Sequence, residues 1–190
     1  MQRINSISEY HALAGLPKPE HPLVSLVDYG QVNYQVDATE ITLVLSHYSM
    51  AMKRGLNGKF RYGQQQYDFD EGLMSFVSPG QVISVKVHRE PDPKPSGWML
   101  LIHPDFLWNT PMASKIKQYE FFGYHINEAL FLSEKEEKSM IGIMKNIKEE
   151  YHSNIDAFSQ NIILAQVEVL LNYAERFYQR QFITRKISNH

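Results

Sequence analysis

The 190-residue sequence predicts an α+β fold, an antiparallel sandwich or barrel followed by an antiparallel pair of helices. Three observations carry this expectation. Residues 23 to 103 hold short apolar runs of strand length, some alternating with polar residues and separated by Gly and Pro. From Pro104 onward the apolar residues recur at spacings of three and four. Only the short segment His152–Asp156 separates the last two helical stretches, so they should pack side by side in opposite directions.

Residues 1–22 read as an N-terminal arm. They have no apolar core and no small-residue cleavage site, and so do not form a signal peptide. Leu23–Tyr29 is the first short strand, and Glu40–Met52 reads as one longer strand. Phe60 and Tyr62 share one face of a third segment. In Gln81–Val87, the residues Ile83, Val85 and Val87 alternate with Ser84 and Lys86, the period of a half-buried strand. Gly72 and Pro79-Gly80 supply turns, and Pro91, Pro93, Pro95 and Gly97 make a stiff loop before the strand Trp98–His103. The barrel is therefore assigned to residues 23–103.

Residues 104–182 form the helical region. Pro104 suits the first position of a helical turn, because its missing N–H needs no partner there. Ser133 and Glu136 have the spacing of a capping box, and the helix after them carries Met140, Ile143, Met144, Ile147 and Tyr151 on one stripe. A last helix starts near Asp156 and runs to about Gln181. It has two apolar stripes. One is Phe158, Ile162, Ala165, Val169 and Tyr173; the other is Ile163, Val167, Leu170, Leu171, Ala174, Phe177 and Tyr178. A surface helix of a monomer usually buries one stripe. Either this helix is sunk between the barrel and its partner helix, or one stripe meets its copy across a twofold axis. Phe158, Ile162, Ala165, Val169 and Tyr173 are the candidate dimer contacts.

Charge and composition exclude several functions. Lys plus Arg number 19 and Asp plus Glu 21, a net charge of −2 without the basic excess of a nucleic-acid binder. No apolar run approaches the length of a membrane span. The absence of cysteine removes disulfides, thiolate metal sites and thiol nucleophiles, and suits a cytoplasmic location. None of the eight histidines forms a His-x-His pair, so no metal site is expected. The acidic stretch Asp68-Phe-Asp-Glu71 reads as a charged turn rather than a calcium loop. No nucleophile elbow, phosphate loop or dinucleotide fingerprint occurs, and the chain is expected to be neither an enzyme nor a carrier of a cofactor.

Aromatic residues are the positive signal: ten Phe, eleven Tyr and two Trp. In the strand half they sit at alternating positions, which suits either a packed barrel interior or a ligand pocket lined by rings. Tyr48, Phe60, Tyr62, Phe76 and Trp98, with His103, are the candidate ligand contacts.

Several segments carry a resemblance. They are Gly97-Trp-Met-Leu-Leu-Ile-His-Pro-Asp-Phe-Leu107, Tyr119-Glu-Phe-Phe-Gly-Tyr124, Asn154-Ile-Asp-Ala-Phe-Ser-Gln160 and Leu170-Leu-Asn-Tyr-Ala-Glu-Arg-Phe-Tyr-Gln-Arg-Gln-Phe182 with Thr184-Arg-Lys186. Together the chain resembles the amino-terminal regulatory region of AraC-family transcription regulators of the Bacteroidetes type. The resemblance implies a cupin-like, jelly-roll barrel that takes an unknown small-molecule effector, followed by helices that form a homodimer. It implies that residues 183–190 are a linker toward a DNA-binding domain with two helix-turn-helix motifs, the only part of the parent protein to contact DNA. No membrane partner is implied. Two rivals stand beside it: a metal-dependent cupin enzyme, and a dimerisation scaffold with no ligand.

Overall fold

A computed structural model of the chain describes residues 1–54, 60–62, 65–67, 72–87, 89, 96–123, 129–153 and 155–188; residues 60–62, 65–67 and 184–188 are described as backbone alone. The acidic stretch Asp68–Glu71, the proline loop from Pro91 to Pro95, and the side chains of Phe60 and Tyr62 lie outside the described residues.

The chain is α+β, with two sheets, a small hairpin and five α-helices among the described residues. In chain order the elements are β1 (Gln2–Ile4), α1 (Ile7–Leu13), β2 (Val24–Asp28), β3 (Glu40–Leu45), β4 (Tyr48–Arg54), β5 (Phe60–Tyr62), β6 (Gln65–Tyr67), β7 (Gly72–Val77), β8 (Val82–Lys86) and β9 (Ser96–Ile102). There follow α2 (Pro104–Leu107), α3 (Met112–Lys115), β10 (Leu130–Leu132), α4 (Glu134–Ser153) and α5 (Ser159–Ser188). One sheet has the order β1-β3-β8, with β1 parallel to β3. The other has the order β10-β7-β4-β9-β2 and is antiparallel throughout. The described ladders leave these as two separate sheets and do not close them into a barrel.

The segment expected as an arm carries β1 and α1, and its Ile4, Ile7 and Tyr10 are buried. Ser6 caps α1 by accepting from the Glu9 N–H. The single strand expected over Glu40–Met52 is two strands. At Ser46-His47 the chain leaves the three-stranded sheet, where the Ser46 N–H donates to the Ile4 carbonyl, and enters the five-stranded one. A continuous apolar run concealed this crossing, since both strands are buried.

Side-chain alternation sorts the five-stranded sheet into two cores. Tyr48, Met50, Met52, Met74, Phe76, Leu100 and Ile102 face the helices. Ala51, Met99, Leu101 and Val27 face Leu43, Leu45 and α1 across the space between the sheets. Seven of the eight methionines are buried, among them Met50, Met52, Met74, Met140 and Met144 at the seam between sheet and helices.

The helical half follows its local signals. Pro104 opens α2, and Ser133 and Glu136 exchange hydrogen bonds at the start of α4 (3.2 and 3.0 Å). Asp156 accepts from the N–H groups of Phe158 and Ser159 before α5. The helices are antiparallel: Glu136 in the first turn of α4 binds Arg180 near the far end of α5 through two hydrogen bonds. Helix α5 continues past Gln181 to Ser188, so the stretch expected as a linker begins inside it. An ion pair between the partly exposed Arg54 and the buried Glu137 fixes α4 to the sheet: Glu137 takes the Arg54 guanidinium and lies against Gly72, where a Cβ would meet its carboxylate at 2.7 Å. A paired carboxylate tolerates burial that an unpaired one does not.

Gly97 sits within β9 at φ +133°, and a Cβ there would come within 1.9 Å of the Met52 carbonyl oxygen on β4. Backbone strain and the steric clash act together, so Gly97→Ala should lower the unfolding free energy by about 3 kcal/mol or more, read by urea denaturation.

Candidate functional site

The ligand candidates do not gather between the sheets. Tyr48, Phe76 and Trp98 fall on the even positions of β4, β7 and β9, which face the helices. There Tyr48 and Phe76 join an aromatic cluster: Tyr48 meets Phe122 at 5.2 Å, Phe76 meets Phe121 at 4.3 Å, and Phe121 meets Tyr178 of α5 at 6.2 Å between ring centroids, while Trp98 lies under Lys145 of α4. This cluster fixes the segment before β10 and α5 to the sheet. His103 ends β9 and caps α2, its Nδ1 accepting from the Asp105 N–H at 3.1 Å. The strand register thus places Tyr48, Phe76 and Trp98 on the helix side of the sheet and puts the odd residues on the face toward the other sheet.

The inner layer is smaller and more polar than the sequence suggested. Ser25, Ser49, Ala51 and Ser75 lie on the same face as Val27, Val77, Met99 and Leu101. Tyr10 and Tyr34 share a hydrogen bond at 3.0 Å, and burial raises the pKa of both, Tyr34 to about 12. The signal for this layer was the recurrence of small residues at alternate strand positions. The chain carries it only once the parity of each strand is known.

His47 is fully buried at the crossing between the sheets. Its Nδ1 lies 3.3 Å from the Tyr48 carbonyl, its ring packs edge-on to Tyr10 at 5.9 Å, and its Nε2 has no hydrogen-bond partner among the described residues. Burial pushes its pKa down to about 4, against the pull of the Tyr48 carbonyl, with smaller contributions from His103 and His11.

A pocket of about 190 Å³ flanks the free edge of β2. Leu16–Glu20 forms one wall, and Lys148 and Tyr151 of α4 form another; His11, Ser25 and Trp98 also line it. Sequence reasoning missed this site because its polar groups come from α1, β2 and α4. Among the described residues, no three His, Asp or Glu side chains converge as metal ligands, and no helix is long and apolar enough to cross a membrane.

The two stripes of α5 separate cleanly. Ile163, Val167, Leu170, Leu171, Ala174, Phe177 and Tyr178 are buried against α4 and the sheet. Phe158 is 70% exposed, Ile162 43% and Val169 44%; Ala165 is exposed too, and Tyr173 is half-buried. Compared with known proteins, the chain matches no protein family and no curated protein.

The sign of the His47 effect follows from its folded value. An unfolded histidine titrates near 6.5, so the stability owed to keeping His47 neutral is complete above that pH. It is lost as the pH falls toward 4. The loss should reach about 3 kcal/mol over that window, and His47→Leu should remove that share of the pH dependence in urea titrations between pH 7 and 4.

Proposed function

We propose that the chain is the effector-sensing and dimerising module of a bacterial transcription regulator of the AraC type, with its two sheets forming a cupin-like jelly roll. In this reading a small organic effector is held by the strand half, the helices pair two copies, and a DNA-binding domain elsewhere in the parent protein reads the promoter. An effector acts by binding two arrangements of the module with different affinities.

The observation that carries the reading is the apolar stripe left uncovered on α5. Phe158, Ile162, Ala165 and Val169 recur at spacings of four, three and four; the face they share with Asn161 and Asn172 is uncharged over that length, and the exposed Arg176 follows it on the same line. Among the described residues, nothing in one copy covers it. An uncharged face with a small residue near its centre suits antiparallel self-pairing, because Ala165 lets two backbones approach and Ile162 of one copy falls opposite Val169 of the other. Glu168, beside Asn161 and Asn172, forms an ion pair with Lys115. Exposed large apolar residues of this kind mark an interaction surface more often than a solvated one.

Light scattering should therefore find the wild-type chain dimeric, with an unfolding midpoint that rises with protein concentration, and both Ile162→Glu and Val169→Glu should yield folded monomers whose midpoint no longer depends on concentration. A wild type that stays monomeric at high concentration removes the support for the reading.

A further inference from the structure

Three of the chain's eight histidines hold one short segment to the body of the fold. Residues 16–23 run from the end of α1 to β2 and form a wall of the pocket beside β2. Pro17, Pro19 and Pro22 have no N–H to give. Among the described residues, the backbone hydrogen bonds of the segment lie at its two ends, Leu16 N–H to the His11 carbonyl and His103 N–H to the Leu23 carbonyl. Every side-chain hydrogen bond it makes with described residues has an imidazole as one partner. His11 Nδ1 meets the Pro17 carbonyl at 2.7 Å, His21 Nδ1 the Leu23 N–H at 3.0 Å, and His152 Nδ1 the Glu20 carboxylate at 2.9 Å. Imidazole is the side chain whose charge changes nearest neutral pH.

The partners fix the protons on two of these rings. A backbone N–H only donates, so His21 Nδ1 is bare. A carbonyl only accepts, so His11 Nδ1 carries the proton and its Nε2 accepts from the Ser25 hydroxyl at 2.8 Å. Ser25 accepts in turn from Tyr151, whose oxygen takes the Leu26 N–H at 2.9 Å. A proton added to His21 falls on Nδ1 and removes the acceptor of the Leu23 N–H. This ring is half-buried, edge-on to Phe106 of α2 at 5.7 Å and beside Tyr151 of α4 at 6.4 Å. The ionisable groups around the two rings have both signs. They are Lys18 and Glu20 on the segment itself, Asp28 on β2, Asp105 on α2, Lys148, Tyr151 and His152 on α4, and the buried His47. Burial outweighs them and holds both His21 and His11 below the ordinary histidine value, the Pro17 bond opposing it at His11.

We propose that residues 16–23 form a proton-sensitive strap over this pocket, seated while His21 and His11 are neutral and released in mild acid by protonation of His21, which opens the pocket to solvent. Linkage sets the direction. Released, both rings regain water and the proton affinity of an exposed histidine, so release takes up protons and acid drives it. The seating owed to the neutral rings is complete above about pH 6.5 and is lost as the pH falls through their lower seated values. The His152–Glu20 pair works the other way, but both groups are exposed, and such a pair contributes little. The strap goes beyond the sensing role proposed above and does not rest on it.

Trp98 lines the same pocket, and the other tryptophan, Trp108, is 76% exposed at another site. In a Trp108→Phe parent, acrylamide quenching therefore reports access to Trp98 alone. Between about pH 7.5 and pH 5.5 the quenching constant should rise by about twofold or more, with an unchanged far-UV spectrum. His21→Asn keeps an oxygen acceptor for the N–H two residues on and has no proton to gain, so it should give the low constant at both pH values. His21→Ala lacks the acceptor and should give the high constant at both, its far-UV spectrum showing that it folds. A parent constant that ignores pH, a pH response that persists in His21→Asn, a low constant in folded His21→Ala, or a rise that comes with loss of the far-UV signal each overturns the proposal.

Discussion

The five-stranded sheet is buried on both faces, and most of the structure depends on that constraint. One face closes onto α1 and the three-stranded sheet, the other onto α4, α5 and the aromatic segment before β10. Each strand therefore supplies large apolar groups toward the helices and, toward the second sheet, a mixture of apolar residues and the small Ser25, Ser49, Ala51 and Ser75. A shift of register by one residue would exchange the two sets, placing Met50 and Phe76 where Ala51 and Ser75 now sit. The Arg54–Glu137 pair and the fit of Glu137 over Gly72 hold the helical layer to the sheet at one end.

This double burial explains what could and could not be read from the sequence. The helical elements were legible because their signals are local. Ser133 and Glu136, Pro104, and Asp156 each act within three residues, and each sits at the expected helix start. The strands were legible as strands, but their faces were not. A run such as Met99-Leu-Leu-Ile102 is buried throughout, so it has no polar side to show which residues point inward. That is why only the strand register, and not the sequence, places Tyr48, Phe76 and Trp98 toward the helices.

The two stripes of α5 show the same limit in another form. Periodicity separated them, but only packing decided that Ile163, Val167 and Leu170 are core and that Phe158, Ile162 and Val169 remain outside. The pocket by β2 was beyond reach of periodicity, because His11, Ser25 and Tyr151 are brought together from positions 14 and 125 or more residues apart. Such convergence is a property of the tertiary fold, and no window on the sequence contains it.

The methionines at the seam have a mechanical consequence. Met50, Met52 and Met74 from the sheet share one core with Met140 and Met144 of α4. These side chains are unbranched and polarizable, with three rotatable bonds, and they re-form contacts after small displacements that would jam branched residues such as Ile or Val. The joint between sheet and helices therefore resists being pulled apart, because its apolar area must stay dry. Sliding is checked by the branched Ile102, Ile143 and Ile147 in the same seam and by the Arg54–Glu137 pair, so the methionines act as fillers that take the shape of the gaps left between fixed points.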